Sequence, residues 1–211
     1  MEAYDLFKEF QQKYQLTDIQ RAQFETYYHM LVKTNELFNI TAITDLDAVI
    51  KYHFEDSLVF ENYRDLRSTR GIVDIGSGAG FPGIPLKIKY PHIPVILVEV
   101  TNKKIAFLES VITQLGLTGI ECCSLDWRTF LRKTHYAVDF ICARASLHPE
   151  ELIRMFKPSS PYQGANLVYW ASSSFIPDQR IMPYIQQTLA YTIGKKERML
   201  VIMGIEIIKD R

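Results

Sequence analysis

The chain has 211 residues, 47% of them hydrophobic, which is enough to bury one α/β core with an appendage. Its 24 basic and 24 acidic side chains cancel, which excludes a dedicated, strongly basic nucleic-acid module. Three cysteines, Cys122, Cys123 and Cys142, show neither zinc spacing nor an even framework, which excludes a disulfide scaffold and points to a reducing cytoplasm without a metal.

The charge is unevenly spread. Up to Arg70 there are 8 basic and 12 acidic residues; from Gly71 onward there are 16 and 12, which leaves room for a local RNA surface. The start, Met1 to Phe7, lacks the basic and apolar regions of a secretory leader, and no apolar run approaches ~20 residues. The expectation is a cytoplasmic protein with no membrane association.

Residues 1–66 read as an N-terminal helical extension. Tyr4, Phe7, Phe10 and Tyr14 recur at helical steps, as do Phe24, Tyr27, Tyr28, Leu31 and Val32. Thr17-Asp18 suits a helix cap before Ile19. A loop is expected near Asn39 to Thr41, and Asp45 or Asp47 can cap a further helix that carries His53, Asp56 and Ser57 on one face. That trio reads as a satisfied polar cluster where the helix docks on the sheet, in preference to a catalytic group.

Residues 67–211 alternate strands and helices. Gly71 to Ile75 is an apolar, β-branched run, followed by Gly76, Gly78 and Gly80 at every second position and by Pro82 at a helix start. A strand, a glycine turn and a helix hold a nucleotide-sized ligand at the carboxyl edge of a parallel sheet. The third glycine comes too early for G-x-G-x-x-G, and no Gly-Lys-Ser/Thr ending is present. Asp74 would repel a pyrophosphate and welcome a ligand with an ammonium and a sulfonium, such as S-adenosylmethionine. Glu99, at the end of the strand Pro94 to Val100, lies 21 residues after Gly78, the offset at which an acid meets ribose hydroxyls.

A helix is expected from Phe81 to Tyr90, another from a cap at Asn102 to an exit at Gly116, and strands at Ile120 to Ser124, Val138 to Ala143 and Ala165 to Trp170. Gly194 to Arg198 reads as a tight turn before a last strand, Met199 to Ile208, in a closing hairpin. Cys122 and Cys123 read as core residues and Cys142 as a buried structural thiol. Asp126, after the third strand, can accept from an adenine amine, with Trp127 beside it as a flat apolar wall. Arg144 leaves the fourth strand where cofactor and target should meet, and its fork suits a phosphate, a carboxylate or guanine O6. Read as a rim residue, it predicts that Arg144→Ala impairs catalysis and leaves the fold intact.

The stretch Asp74-Ile-Gly-Ser-Gly-Ala-Gly-Phe-Pro-Gly-Ile-Pro85, with Asn39-Ile-Thr-Ala42, His53-Phe-Glu-Asp-Ser-Leu58 and Ala143-Arg-Ala145, resembles the bacterial ribosomal small-subunit methyltransferase G family, also called glucose-inhibited division protein B. The similarity runs from about Phe38 to the C-terminus. The resemblance implies a class I S-adenosylmethionine-dependent methyltransferase, with a Rossmann-like, seven-stranded, mostly parallel sheet, that methylates guanine N7 in 16S rRNA of the small ribosomal subunit. It implies cofactor contacts at Gly76, Phe81, Trp127, Arg128 and Arg144, substrate contacts at Asn39, Thr41 and His53, and a monomer. The chain departs from the family pattern at Tyr52 and Asp126, where arginine is usual, at Arg128, where an acid is common, and at Ala171, where lysine is usual. A different small-molecule or protein substrate, or a non-catalytic ribosome-binding role, stays open on these residues.

Overall fold

The computed structural model describes residues 3–145 and 147–205. Seven strands form one sheet: β1 Ile72–Ile75, β2 Val95–Val98, β3 Ile120–Cys123, β4 Phe140–Arg144, β5 Asn166–Ser172, β6 Ile185–Ile193 and β7 Lys196–Met203. Their order is β3-β2-β1-β4-β5-β7-β6, with β1 to β5 parallel and β7 inserted antiparallel between β5 and β6. The order reverses between β1 and β4, so a crevice opens above the carboxyl ends of those two strands. This is the expected seven-stranded, mostly parallel architecture.

Each strand's alternation fills two core layers. Ile72, Val95, Leu97, Phe140 and Trp170 face one side, with Phe24, Tyr27 and Phe107 of the helices packed on it. Val73, Ile75, Ile96, Val98 and Ile141 face the other, beneath Trp127, Phe130 and Leu152. The β-branched content of β1 and β2 and their complete burial on both faces are what a central parallel strand requires.

The N-terminal helices share the first layer. Helices α1 (Ala3–Lys13) and α2 (Asp18–Leu37) bury Phe10, Phe24, Tyr27 and Leu31. Thr17 starts α2 with a reciprocal capping box through Gln20. Short α3 (Leu46–Val49) is capped by the Asp45 side chain and runs on through a π-helical turn, Ile50–Glu55, into α4 (Asp56–Leu58). The wider π turn carries Tyr52 and His53 toward the sheet edge. An aromatic column continues from Phe10 through Phe24, Phe54, Tyr27 and Phe81 to His53, with ring centroids 4.4 to 5.5 Å apart. At its end the His53 and Phe81 rings are stacked at 4.4 Å and 11°.

Several boundaries differ from the sequence reading. The helix expected from Phe81 is α5, Gly83–Lys89, because Phe81 and Pro82, joined by a cis peptide, remain in the loop. In α6 (Asn102–Gln114) Asn102 is the first helical residue and Thr101 is the cap. Cys122 and Cys123 are half-buried, since β3 is the edge strand, whereas Cys142 on central β4 is buried. The last turn is tighter than expected: only Gly194 and Lys195 join β6 to β7, and Lys196 to Arg198 already pair with β6. Strand β7 ends at Met203, and Ile208 lies outside the described residues. Helices α7 (Trp127–Lys133) and α8 (Pro149–Leu152) complete the second face. Among the described residues no helix is long and apolar enough to cross a membrane.

Candidate active site

A cleft of about 470 Å³ opens at the switch point, within the ~300–1,000 Å³ typical of small-molecule sites. The loop Gly76 to Ala79 and Glu99 form one wall; Thr41, Tyr52, His53, Phe81, Arg144 and Arg198 form the other. An adjoining compartment of about 190 Å³, lined by Gly76, Glu99, Leu125, Asp126 and Trp127, extends it along β2 and β3.

The loop's shape follows from its glycines. A Cβ on Gly80 (φ +100°) would lie 2.7 Å from the Tyr27 hydroxyl, which itself donates to Ala79 O at 2.5 Å. The α2 helix therefore fixes the loop from below. At Gly78 (φ +59°) a Cβ would meet nothing closer than Gly76 O at 3.8 Å, so this backbone stands open to the cleft.

Asp74 does not face that cleft. Its side chain is fully buried beneath the loop, where Oδ2 accepts the Gly83 N–H at 2.9 Å. Oδ1 is buried with no hydrogen-bond partner among the described residues. Burial pushes its pKa up to about 7, against the opposing pull of the Gly83 N–H and Arg144. The residue read as a ligand contact thus holds the start of α5 instead, and any influence on a cationic ligand is through space.

Glu99 does line the cleft and is 6% exposed. Oε1 accepts from Val100 N at 3.0 Å and Thr101 N at 2.9 Å, and Oε2 accepts from Gly78 N at 3.1 Å. Burial alone would raise its pKa; the N–H donors of Thr101 and Gly78 and the nearby Lys104 ammonium outweigh it and keep the group ionised. A carboxylate has about four acceptor positions, so one on Oε2 is left for a hydroxyl.

Arg144 is nine-tenths buried at the end of β4, and three of its donors have partners among the described residues. Nη1 donates to Asp56 Oδ2 at 2.8 Å and Tyr52 O at 3.1 Å, and Nη2 donates to His53 Nδ1 at 3.1 Å. The guanidinium also lies over the Phe81 ring at 5.2 Å. Because arginine cannot accept, His53 Nδ1 must be the acceptor and Nε2 must carry the proton. Nε2–H then donates to Thr41 Oγ1 at 2.9 Å. Burial and the Arg144 charge lower the His53 pKa to about 3, so the ring is neutral at pH 7. Thr41 Oγ1 accepts a second bond from Ile43 N at 3.1 Å, which leaves its hydroxyl proton to donate into the cleft that it lines.

The remaining candidates separate. Asp126 caps α7, accepting Arg128 N and Thr129 N, and borders the smaller compartment with the buried face of Trp127. The Arg128 side chain turns away: it stacks on Trp127 at 4.4 Å, pairs with Glu151 at 2.5 Å and lines a different cavity with Arg132 and Arg154. Asn39 lines a third, shallow cavity with Asn35 and Thr44 and is not brought into the cleft. The sequence reading named Tyr52 only as a departure from the family pattern and missed Tyr191 and Arg198 as neighbours of the site. Tyr191 donates to Asp56 Oδ1 at 2.7 Å from 135 residues away, and no local pattern announces such a contact.

The sheet order, the glycine loop and the acidic residue ending β2 can be set beside known proteins. A crystal structure of a MtNAS variant in complex with S-adenosylmethionine is 16% identical, with TM-score 0.59, over 94% of this chain and 83% of that one, a likeness of fold. "Ribosomal RNA small subunit methyltransferase G" of Geobacillus kaustophilus (strain HTA426) is 39% identical over 155 residues, 72% of this chain and 65% of that protein. The protein of the same name from Staphylococcus haemolyticus (strain JCSC1435) is 46% identical over 132 residues, 62% of this chain and 55% of that protein. The chain therefore spans less than two thirds of the length of the curated relatives it matches. The family model described as GidB, rRNA small subunit methyltransferase G, matches residues 20–177. That match starts before Phe38 and stops short of the β6–β7 hairpin, unlike the extent expected from the motifs. The chain belongs to the rRNA small subunit methyltransferase G family.

Proposed function

We propose that this protein is a cytoplasmic, monomeric methyltransferase that transfers a methyl group from S-adenosylmethionine to N7 of a guanine in 16S rRNA. The observation that carries the reading is that one wall of the cleft joins an ionised Glu99 with a spare acceptor position to a glycine backbone open at Gly78. These residues fit the cofactor: Glu99 suits its ribose hydroxyls, the Gly76–Gly78 backbone its amino-acid part, and Asp126 with Trp127 its adenine. When bound, the cofactor supplies a methyl group activated on a positively charged sulfur.

The chain's own task is then to hold and orient. Guanine N7 carries an available lone pair, so no proton has to be removed and no general base is needed. Alignment of the two partners can contribute ~7–11 kcal/mol. A neutral His53 adds no positive charge beside a cationic donor. The chain Arg144, His53, Thr41 aims a hydroxyl proton into the cleft, where it suits the O6 carbonyl of the target base and leaves N7 free. Incubation with methyl-labelled S-adenosylmethionine and undermethylated small subunits should place label in the RNA. Label confined to protein, or rapid turnover without RNA, would contradict the reading.

A further inference from the structure

The wall of the cleft opposite the glycine loop is built partly by the β6–β7 hairpin, which lies beyond the residues that match the family. The hairpin is clamped to the π turn. Lys195 N–H donates to the Tyr52 hydroxyl at 3.4 Å, and Tyr191 donates to Asp56 at 2.7 Å. A Cβ on Gly194 would sit 2.8 Å from the Tyr52 hydroxyl, so the turn packs directly on that side chain. Strand alternation places Lys196 and Arg198 on one face and Glu197 on the other. Lys196 Nζ stands 4.3 Å from the Tyr52 ring centroid, and Arg198 lines the cleft.

The lysines of this turn are not used up by ion pairs, and Arg198 faces a carboxylate only at the limit of ion-pair distance. Among the described residues no carboxylate is within ion-pair distance of Lys195 or Lys196. Arg198 Nε is buried without a hydrogen-bond partner, 4.0 Å from Asp56 Oδ1, which already accepts from Tyr191. The Arg198 side chain keeps 25% of its surface exposed and lines the cleft, so an incoming anion meets the outer part of its guanidinium. Along the strand Lys196 and Arg198 are about 7 Å apart, a span that neighbouring phosphates of single-stranded RNA can bridge.

We propose that the β6–β7 hairpin is the RNA-positioning wall of the site, with Lys196 and Arg198 holding the phosphodiester backbone beside the target nucleotide. This rests on the reading of the substrate as RNA. It assigns to a segment outside the family match the task of seating the strand, while the glycine loop and Glu99 serve the cofactor. Positioning of this kind is electrostatic and independent of base sequence, so its signature is salt dependence.

The test is equilibrium binding of the full chain to undermethylated small subunits between 50 and 200 mM salt, beside calorimetry with S-adenosylmethionine. Lys196→Gln and Arg198→Gln should each weaken RNA binding several-fold and lower the log–log salt slope by about one. Lys196→Arg should restore the slope, and Lys196→Gln should keep wild-type cofactor affinity. Lys196 is exposed, so its variants carry the test even if Arg198→Gln disturbs β7. Wild-type slope and affinity in Lys196→Gln would overturn the hairpin's role alone. Failure of the wild-type protein to bind the subunit at all would overturn it together with the RNA reading.

Discussion

Arg144 Nη1 stands 2.8 Å from Asp56 Oδ2, and the Asp56 side chain has no exposed surface. This pair ties the carboxyl end of β4 to the start of α4, directly after the π turn, and it changes what an arginine substitution should do. The sequence reading treats Arg144→Ala as a catalytic lesion in an intact fold. The structure makes it a stability lesion as well, because it removes the nearer guanidinium from a buried carboxylate and leaves Oδ1 alone with Tyr191 and, at 4.0 Å, Arg198. The expected loss is about 3–5 kcal/mol in urea unfolding. Asp56→Asn combined with Arg144→Met should recover much of it; equal losses in the single and double variants would count against the pairing.

A half-buried histidine and a buried aspartate should oppose each other in acid. His53 titrates at about 3 in the fold and near 6.5 when unfolded, so the unfolded chain holds the extra proton between those values. Its contribution is fully present above about 6.5 and is lost as pH falls toward 3. Asp74 behaves oppositely: its pKa is about 7 in the fold and 3.8 when unfolded, so stability falls as pH rises between them. Each slope is at most about 1.4 kcal/mol per pH unit, and over pH 4.5 to 6.5 they offset one another. His53→Gln should expose a stability that falls with rising pH, and Asp74→Asn one that rises. Parallel pH profiles for both variants and wild type, measured by denaturant melts, would rule out these titrations.

Glu99→Gln replaces an ionised acceptor that organises Gly78, Val100 and Thr101. A charge-assisted hydrogen bond contributes ~1.5–3 kcal/mol, so S-adenosylmethionine affinity should drop by roughly ten- to hundredfold. Calorimetry reads this directly, and an unchanged dissociation constant would remove Glu99 from the sugar site.

Glycines of the loop and of the helix start that follows it should divide between fold and binding. A Cβ on Gly83 would lie 2.4 Å from Leu97 Cδ2 and 2.9 Å from Asp74 Oδ2, so Gly83→Ala should cost about 1–3 kcal/mol of stability by overpacking. Gly78→Ala meets open space; its left-handed backbone costs about 1–2 kcal/mol, and its methyl enters the cleft. Cofactor affinity should therefore fall more for Gly78→Ala than for Gly83→Ala. The reverse order would place the ligand elsewhere.

What was legible in the sequence was local and periodic. The run Gly71 to Ile75, the alternate glycines and Glu99 at the next strand end give the sheet edge and the cleft, because each depends on residues close in the chain. The capping of α2 by Thr17 and of α3 by Asp45 was readable for the same reason. Asp74 and Arg128 were misjudged because a side chain's direction depends on what packs around it: Gly83 draws one beneath the loop, and Trp127 with Glu151 draws the other outward. The hairpin contacts with Tyr52 and Asp56 join positions 135 to 143 residues apart and leave no periodic trace. The His53, Asp56 and Ser57 group was read as a docking cluster, and it does join the helices to β4, although its π-helical spacing was not foreseen.

The most direct measurement is nucleoside mass mapping of 16S rRNA from undermethylated small subunits treated with the protein and S-adenosylmethionine. The account predicts one new 7-methylguanosine, present with wild-type protein and absent with Glu99→Gln at limiting cofactor. Methylation on a different atom or base, or RNA left unmodified while the protein binds the cofactor tightly, would contradict it.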